Sequence, residues 1–310
     1  MRVIVVGLGV QGRKRAAVAA SECVAMVDPA NDEALYREVA EVPLGAYDAA
    51  LVCTPDQAKI GLLTYLLGNG KHVLVEKPLF VEEAGELLRL RDLARQKRAV
   101  CYTAYNHRFE PHFVRMRDLV ASGTLGCIYR CRMFYGNGTA RLVRDSAWRD
   151  QGAGVLPDLG SHLIDTALFW LGKPTVPYAL QTCRRFENRS FDHVTFAADG
   201  KPLLMMELTL LSWRNHFYAD LFAENGSVHI QSLCKWGPSS FTWRERVLPS
   251  GRPKEETVTL IAPDPTWAAE YADFKRRCAV GESNIDNDIW INEVLKGLAA
   301  VAARREERAR

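Results

Sequence analysis

The chain has no apolar run approaching the length of a membrane-spanning helix, so a helical membrane protein is not expected. It lacks a charge excess: a formal net charge of +3 over 310 residues implies no general nucleic-acid or membrane-surface role. It also lacks paired cysteines. The eight stand apart at 23, 53, 101, 127, 131, 183, 234 and 278, with no CxxC and no Cys/His zinc spacing, so no metal site is expected. Cys127 and Cys131 share one face of a strand pattern, where packing is the expectation. There is no signal-peptide pattern, because Met1-Arg-Val-Ile-Val-Val-Gly7 goes straight into a strand, and a reducing cytoplasm is expected. Repeats and low-complexity segments are absent too. What is present is a 48% hydrophobic, 25% charged composition of ordinary globular kind, long enough for two domains.

Val3 to Val6 is a β-branched run suited to a strand buried on both faces. It leads into Gly7-Leu-Gly9-Val10-Gln11-Gly12, the GxGxxG spacing. There the first glycine allows the tight turn, the second admits a pyrophosphate, and the third lets the helix pack on the strand. The helix N-terminus offers its free N–H groups to the phosphates. A second strand, Cys23 to Val27, ends at Asp28, about 20 residues beyond Gly9, where a carboxylate accepts from an adenosine ribose hydroxyl. Pro29-Ala-Asn-Asp follows, with no base for a 2′-phosphate, so NAD is favoured over NADP. Only Arg13, Lys14 and Arg15 could reverse that preference. Further strands are read at Ala49–Thr54, His72–Val75 and Val100–Ala104, with helices between them, a rhythm that predicts a parallel sheet. Ligands gather at the carboxyl ends of such strands, which puts Lys77 of Glu76-Lys77-Pro78 at a cofactor crevice.

Near the midpoint, Leu159 to Leu171 has helical apolar spacing. Asp158, His162 and Asp165 fall at i, i+4 and i+7, on one helical face. A carboxylate one turn from an imidazole can hold the ring's tautomer and raise its basicity. Gly160 between them leaves room for close approach. Asp158 also has the type and place of a helix N-cap, and that reading stays open beside the catalytic one.

The glycine fingerprint, Thr54-Pro55, Glu76-Lys77-Pro78, Asn106-His-Arg108-Phe109 and Asp158-x-Gly160-x-His162-x-x-Asp165 occur in this order. Together they resemble the glucose–fructose oxidoreductase/inositol dehydrogenase (Gfo/Idh/MocA) family over nearly the whole chain. The resemblance implies an α/β Rossmann domain, residues 1–107, and an α+β domain, residues 108–310. The second would carry a large, mostly antiparallel, open-faced sheet serving as a homodimer or homotetramer interface, and the last helix could return to the first domain. Val10, Gln11, Thr54, Pro55, Glu76, Lys77 and Asn106 would join the glycines and Asp28 at the cofactor. Lys77 would contact the substrate hydroxyl, His162 would act as general base and Asp158 would orient them. Three departures stand out: Lys59 where the family commonly has His, Gly152-Ala-Gly154 in place of three glycines, and a short segment between Asp28 and Asp48 with room only for a truncated helix.

The rest of the chain supplies the substrate side. Gly136 to Gln151 reads as a charged loop, and Arg144, Trp148 and Arg149, with Arg108, are its candidate substrate contacts. Beyond Pro174, period-two patterns predict seven consecutive strands in a meander-like sheet, then helices at Thr266–Val280 and Asn287–Ala303. The function expected is hydride transfer between NAD and a secondary alcohol or ketone of a sugar, cyclic polyol or nucleotide-linked sugar. Two readings remain beside it: a member recycling bound NAD, and a non-catalytic dinucleotide-sensing regulator. A regulator would be expected to have a degraded Lys or Asp/His set, and Lys77, Asp158 and His162 are all present.

Overall fold

The computed structural model describes residues 1–146 and 149–309. The chain forms two compact units, one of Met1–Asn106 with Pro265–Glu293, the other of His107–Asp264 with Val294–Arg310.

The first unit is built on β1 (Val3–Val6), α1 (Val10–Ala19), β2 (Cys23–Val27), β3 (Ala49–Val52), α2 (Asp56–Gly68), β4 (His72–Glu76), α3 (Ala84–Lys97) and β5 (Cys101–Ala104). The five strands run parallel in the order β2-β1-β3-β4-β5. Strands this apolar need cover on both faces, and the alternation supplies two sets. Ile4, Val6, Ala50, Val52, Val73 and Val75 pack with Leu63, Leu66, Leu87 and Leu90 of α2 and α3. Val3, Val5, Ala49, Leu51 and Leu74 face the other way. Between β2 and β3 only short 3₁₀ turns, Val39–Glu41 and Leu44–Ala46, replace a crossover helix, where the short segment led one to expect a truncated one.

The second unit holds α4 (Pro111–Ala121), β6 (Ile128–Gly136), α5 (Ala140–Arg144), α6 (Ser161–Leu171), β7 (Ala179–Arg184), β8 (His193–Asp199), β9 (Leu203–Thr209), β10 (His216–Ala223), β11 (Gly226–Gln231), β12 (Ser239–Glu245) and β13 (Lys254–Leu260). Its eight strands are ordered β13-β12-β11-β10-β6-β9-β8-β7. All pairs are antiparallel except β6 with β9. The expected simple meander is thereby corrected: β6 enters between β9 and β10. Strand patterning reports which residues alternate, not which neighbour a strand will choose, so β6 carried no sign of its central place. α5 is likewise a departure from the expected loop; five residues are too few to show a helical period.

The last two helices, α7 (Thr266–Val280) and α8 (Ile285–Ala309), follow. Tyr271 and Phe274 of α7 join the second face of the parallel sheet, so α7 completes a layer begun far earlier in the chain. Among the described residues no helix is long and apolar enough to cross a membrane, and all eight cysteines are free thiols.

Candidate functional site

In the first unit the glycine loop has the geometry its spacing predicts. Gly7 sits at φ +90°, and a Cβ there would lie 2.7 Å from the Cys53 carbonyl oxygen. A Cβ on Gly12 would lie 1.8 Å from the Gly7 oxygen, so only glycine lets α1 pack this closely on the loop. Gly9 faces open space. α1 begins there with no capping side chain and no acidic residue in its first turn, which leaves its N-terminal N–H groups for an anion. Val10 is 72% exposed although apolar, Gln11 is exposed, and the buried Thr54 hydroxyl has no hydrogen-bond partner among the described residues. This set fits a dinucleotide: a phosphate cradle, an uncovered apolar side chain and a polar group awaiting a bond. Pro55 caps α2 beside Thr54.

Asp28 closes the loop. Its Oδ2 accepts from Leu8 N–H at 2.7 Å, and its Oδ1 accepts from Ala30 and Asn31 N–H at 2.9 and 3.0 Å. Burial alone would raise this carboxyl's pKa, but the three N–H donors outweigh it and hold it below its ordinary value. The basic residues nearby are all engaged. Arg13 pairs with Glu33, and Arg37 pairs with Asp32. Lys14 lies over the Trp267 ring, and Arg15 stacks on that same ring while bridging Glu76 and Glu270.

Lys77 follows directly on β4, before a cis bond to Pro78. The Glu76 carboxylate, expected at the cofactor, accepts from Arg15 Nε at 2.7 Å. Lys59 donates to the carbonyl oxygens of Glu76 and Pro78 at 2.7 and 2.8 Å. Asn106 is buried and donates to the Thr266 hydroxyl at 2.9 Å.

In the second unit His162 lies in the first turn of α6, nearly buried. Its ring stacks on that of His107, with centroids 3.9 Å apart and planes 16° from parallel, and Tyr135 lies 5.8 Å away. One imidazole face is thus covered, which leaves the ring edge, where its nitrogens exchange protons, outside the stack. Lys235 approaches His107 Nε2 at 3.4 Å. An ammonium only donates, so a bond here requires His107 Nε2 to be the acceptor. Burial, then the charge of Asp158, pushes the Tyr135 phenol up, keeping it a neutral hydroxyl.

Asp158 departs from the helical reading. It lies in a π turn, Leu156–Gly160, that precedes α6. It is no N-cap either, since the π turn runs directly into α6 and Gly160 between them has helical φ −65° and ψ −36°. Its carboxylate is part-exposed with Arg149 at 4.0 Å. Asp165, the third residue of the expected face, is buried and accepts a fork from Arg108 at 2.7 to 3.1 Å. Arg108, expected at the substrate, therefore has its guanidinium engaged by Asp165. Gly160 does not leave room for a ligand: a Cβ there would lie 3.3 to 3.6 Å from Leu156, Leu208 and Leu295, so it serves packing. Arg144 is exposed at the end of α5, and Trp148 lies outside the described residues.

Two family models match the chain. One, described as an oxidoreductase family with an NAD-binding Rossmann fold, matches residues 1–105, and the other, a GFO/IDH/MocA C-terminal domain, matches residues 113–229. The chain belongs to the GFO/IDH/MocA family. An uncharacterized oxidoreductase of Schizosaccharomyces pombe is 33% identical over 130 residues, covering 41% of this chain and 34% of that protein. The scyllo-inositol 2-dehydrogenase (NADP(+)) of Bacillus subtilis is 28% identical over 158 residues, covering 50% and 43%. The chain thus spans less than half the length of these curated relatives. Among solved structures, levoglucosan dehydrogenase in complex with NADH matches with a TM-score of 0.81 at 19% identity, over 98% of this chain and 97% of that one. That likeness is one of fold.

Several features of this GFO/IDH/MocA chain gave no sign in the sequence. His107 lies within the Asn106–Phe109 motif with no role evident there, and Lys235, which touches it, is distant along the chain. Glu110, Cys234 and Asp264 also converge, with ligand atoms within 4.8 Å of one another. Burial raises the Glu110 carboxyl, and the Lys235 charge opposes that shift. The Cys234 N–H donates to Glu110 Oε2 at 3.1 Å, so a hydrogen bond within the chain already ties two of the three residues together.

Proposed function

We propose that this protein is an NAD-dependent oxidoreductase. It would transfer hydride between the cofactor and a secondary alcohol, or its ketone, of a sugar, cyclic polyol or nucleotide-linked sugar. The observation that carries the reading is Lys77, presented at the carboxyl end of a strand in an NAD-binding sheet, on a chain that also keeps Asp158 and the nearly buried His162. A regulator has no need of that set.

Bound NAD supplies the hydride acceptor. Gly7, Gly9 and Gly12, with the α1 N-terminus, would hold the pyrophosphate, and Asp28 would accept from the adenosine ribose. Lys77 donates to the substrate oxygen and steadies its growing negative charge. His162 removes the hydroxyl proton at its ring edge, and Asp158 orients the hydroxyl and the base. Acid–base help of this kind contributes about 10²–10⁴-fold. NAD is preferred to NADP because a 2′-phosphate would meet the Asp28 carboxylate, while Arg13, Lys14, Arg15 and Arg37 are engaged elsewhere.

His162→Ala and Lys77→Ala test the reading. The probes are scyllo-inositol and levoglucosan, on which the named relatives act, and UDP-N-acetylglucosamine. Each variant is expected to lose about 10²-fold or more in turnover while NADH still quenches tryptophan fluorescence as in the wild type. Near-normal turnover in both variants would sink the assignment.

A further inference from the structure

We infer that Lys59 is a positioning residue for Lys77: from α2, it clamps the backbone on both sides of Lys77 and so fixes where the Lys77 ammonium is presented. The inference rests on the role proposed above for Lys77.

An ammonium has three N–H donors. Those of Lys59 meet the Glu76 carbonyl at 2.7 Å, the Pro78 carbonyl at 2.8 Å and Asp56 Oδ1 at 2.7 Å. Two of the three bonds therefore close around a single residue, Lys77. Lys59 is only 3% exposed, so water is not an alternative partner for its ammonium, although the Asp56 carboxylate is itself about half exposed. Burying an ammonium is unfavourable unless it is fully bonded. Burial presses the Lys59 pKa down, the Asp56 charge opposes this, and the positive charge of Lys77 adds to the pressure. Packing alone would be better served by an apolar side chain of equal length. A second support meets the same strand end, where the Glu76 side chain accepts from the buried Arg15. With one neighbour tied through backbone and side chain and the other through its backbone, little slack remains in the Lys77 backbone.

This arrangement belongs to the present chain. Position 59 is where the family resemblance leads one to expect His, and an imidazole cannot supply three donors. The effect on chemistry follows from the stem of Lys77. A shift of its backbone moves the ammonium relative to the substrate oxygen, and a misplacement of about 1 Å can cost about 10²-fold in rate.

The test compares Lys59→Met, which keeps the length and removes every donor, with Lys59→Gln, whose amide has two N–H groups for the two carbonyls. Lys77→Met serves as reference. Three readouts are taken on the full chain: amide hydrogen exchange over residues 76–79, the KM for NAD, and kcat with scyllo-inositol, levoglucosan or UDP-N-acetylglucosamine. Lys59→Met is expected to speed exchange in that segment and lower kcat by about 10- to 10²-fold, with the KM for NAD unmoved. Lys59→Gln should recover part of both the protection and kcat. If Lys59→Met does not fold, the Lys59→Gln and Asp56→Asn variants carry the same comparison, because each loosens the tripod without emptying it. Unchanged exchange, or faster exchange with wild-type kcat, would overturn the inference. Wild-type kcat in Lys77→Met would instead remove the catalytic reading of Lys77. An inactive Lys77→Met beside a fully active Lys59→Met would remove the clamp alone.

Discussion

His72 shows how a single imidazole couples this fold to pH. Its Nδ1 accepts the Val100 N–H at 3.0 Å, a bond that only the unprotonated nitrogen can make. Burial lowers its pKa, with Asp48 opposing; burial lowers that of His112 too, against the pull of the Ser239 carbonyl. With folded values below the unfolded one, the unfolded chain takes up protons first as the pH falls. The stability these rings allow is therefore complete above about pH 6.5 and drains away below it. Urea midpoints should fall between about pH 7.5 and pH 5.5, and the fall should be shallower in His72→Asn. An unaltered slope would show that His72 is not among the groups responsible. Asp28 gives the second prediction at this scale. Asp28→Ser should weaken binding of both cofactors, because the Leu8 N–H loses its acceptor. It should also move the NADP-to-NAD ratio of kcat/KM upward by about tenfold, or about 1.4 kcal/mol. A ratio that stays fixed would mean the carboxylate does not set the preference.

Among the elements, α1 is held to α7 by charge as well as by packing. Arg15 lies 1% exposed between Glu76 and a fully buried Glu270, with the Trp267 ring against its guanidinium. Each carboxylate opposes the cost of burying the cation, so removing the cation should leave them uncompensated. Arg15→Met is expected to lower the unfolding free energy by about 3–5 kcal/mol, and adding Glu270→Leu should restore part of it. Additive losses in the double variant would contradict this. The same helix shows where sequence reading ends. GxGxxG, the strands and Lys77 at a strand end were legible because each rests on neighbours within a few residues. Arg15 stayed open as one of three residues that could reverse the preference for NAD, because its partner Glu270 stands 255 positions away. Lys59 looked like a mere departure because the carbonyls it binds leave no mark on residue type. The π turn under Asp158 broke a helical period assumed to be continuous, and β6 took its partners from strands read as a separate run.

At the scale of the whole molecule, the large sheet has one buried and one half-buried face. β10 alternates buried Phe217, Ala219 and Leu221 with half-buried His216, Tyr218, Asp220 and Phe222. On that second face Phe134 stacks on Tyr218, and Arg130 covers Phe222. Aromatic rings with arginines over them are the composition of a protein contact, and we propose that this face joins copies into a homodimer or homotetramer. Light scattering should report a multiple of the 34.8 kDa chain, and Phe134→Glu with Tyr218→Glu should reduce it to the monomer. Hydride transfer is tested most directly by nicotinamide absorbance. Wild-type protein is mixed with NAD and, in turn, polyols, free sugars and nucleotide sugars. A rise with one of these classes, lost in His162→Ala protein that still binds NADH, is the predicted result. No rise with any class, from protein that nevertheless holds NAD, would contradict net dehydrogenation and leave cofactor recycling or dinucleotide sensing in its place.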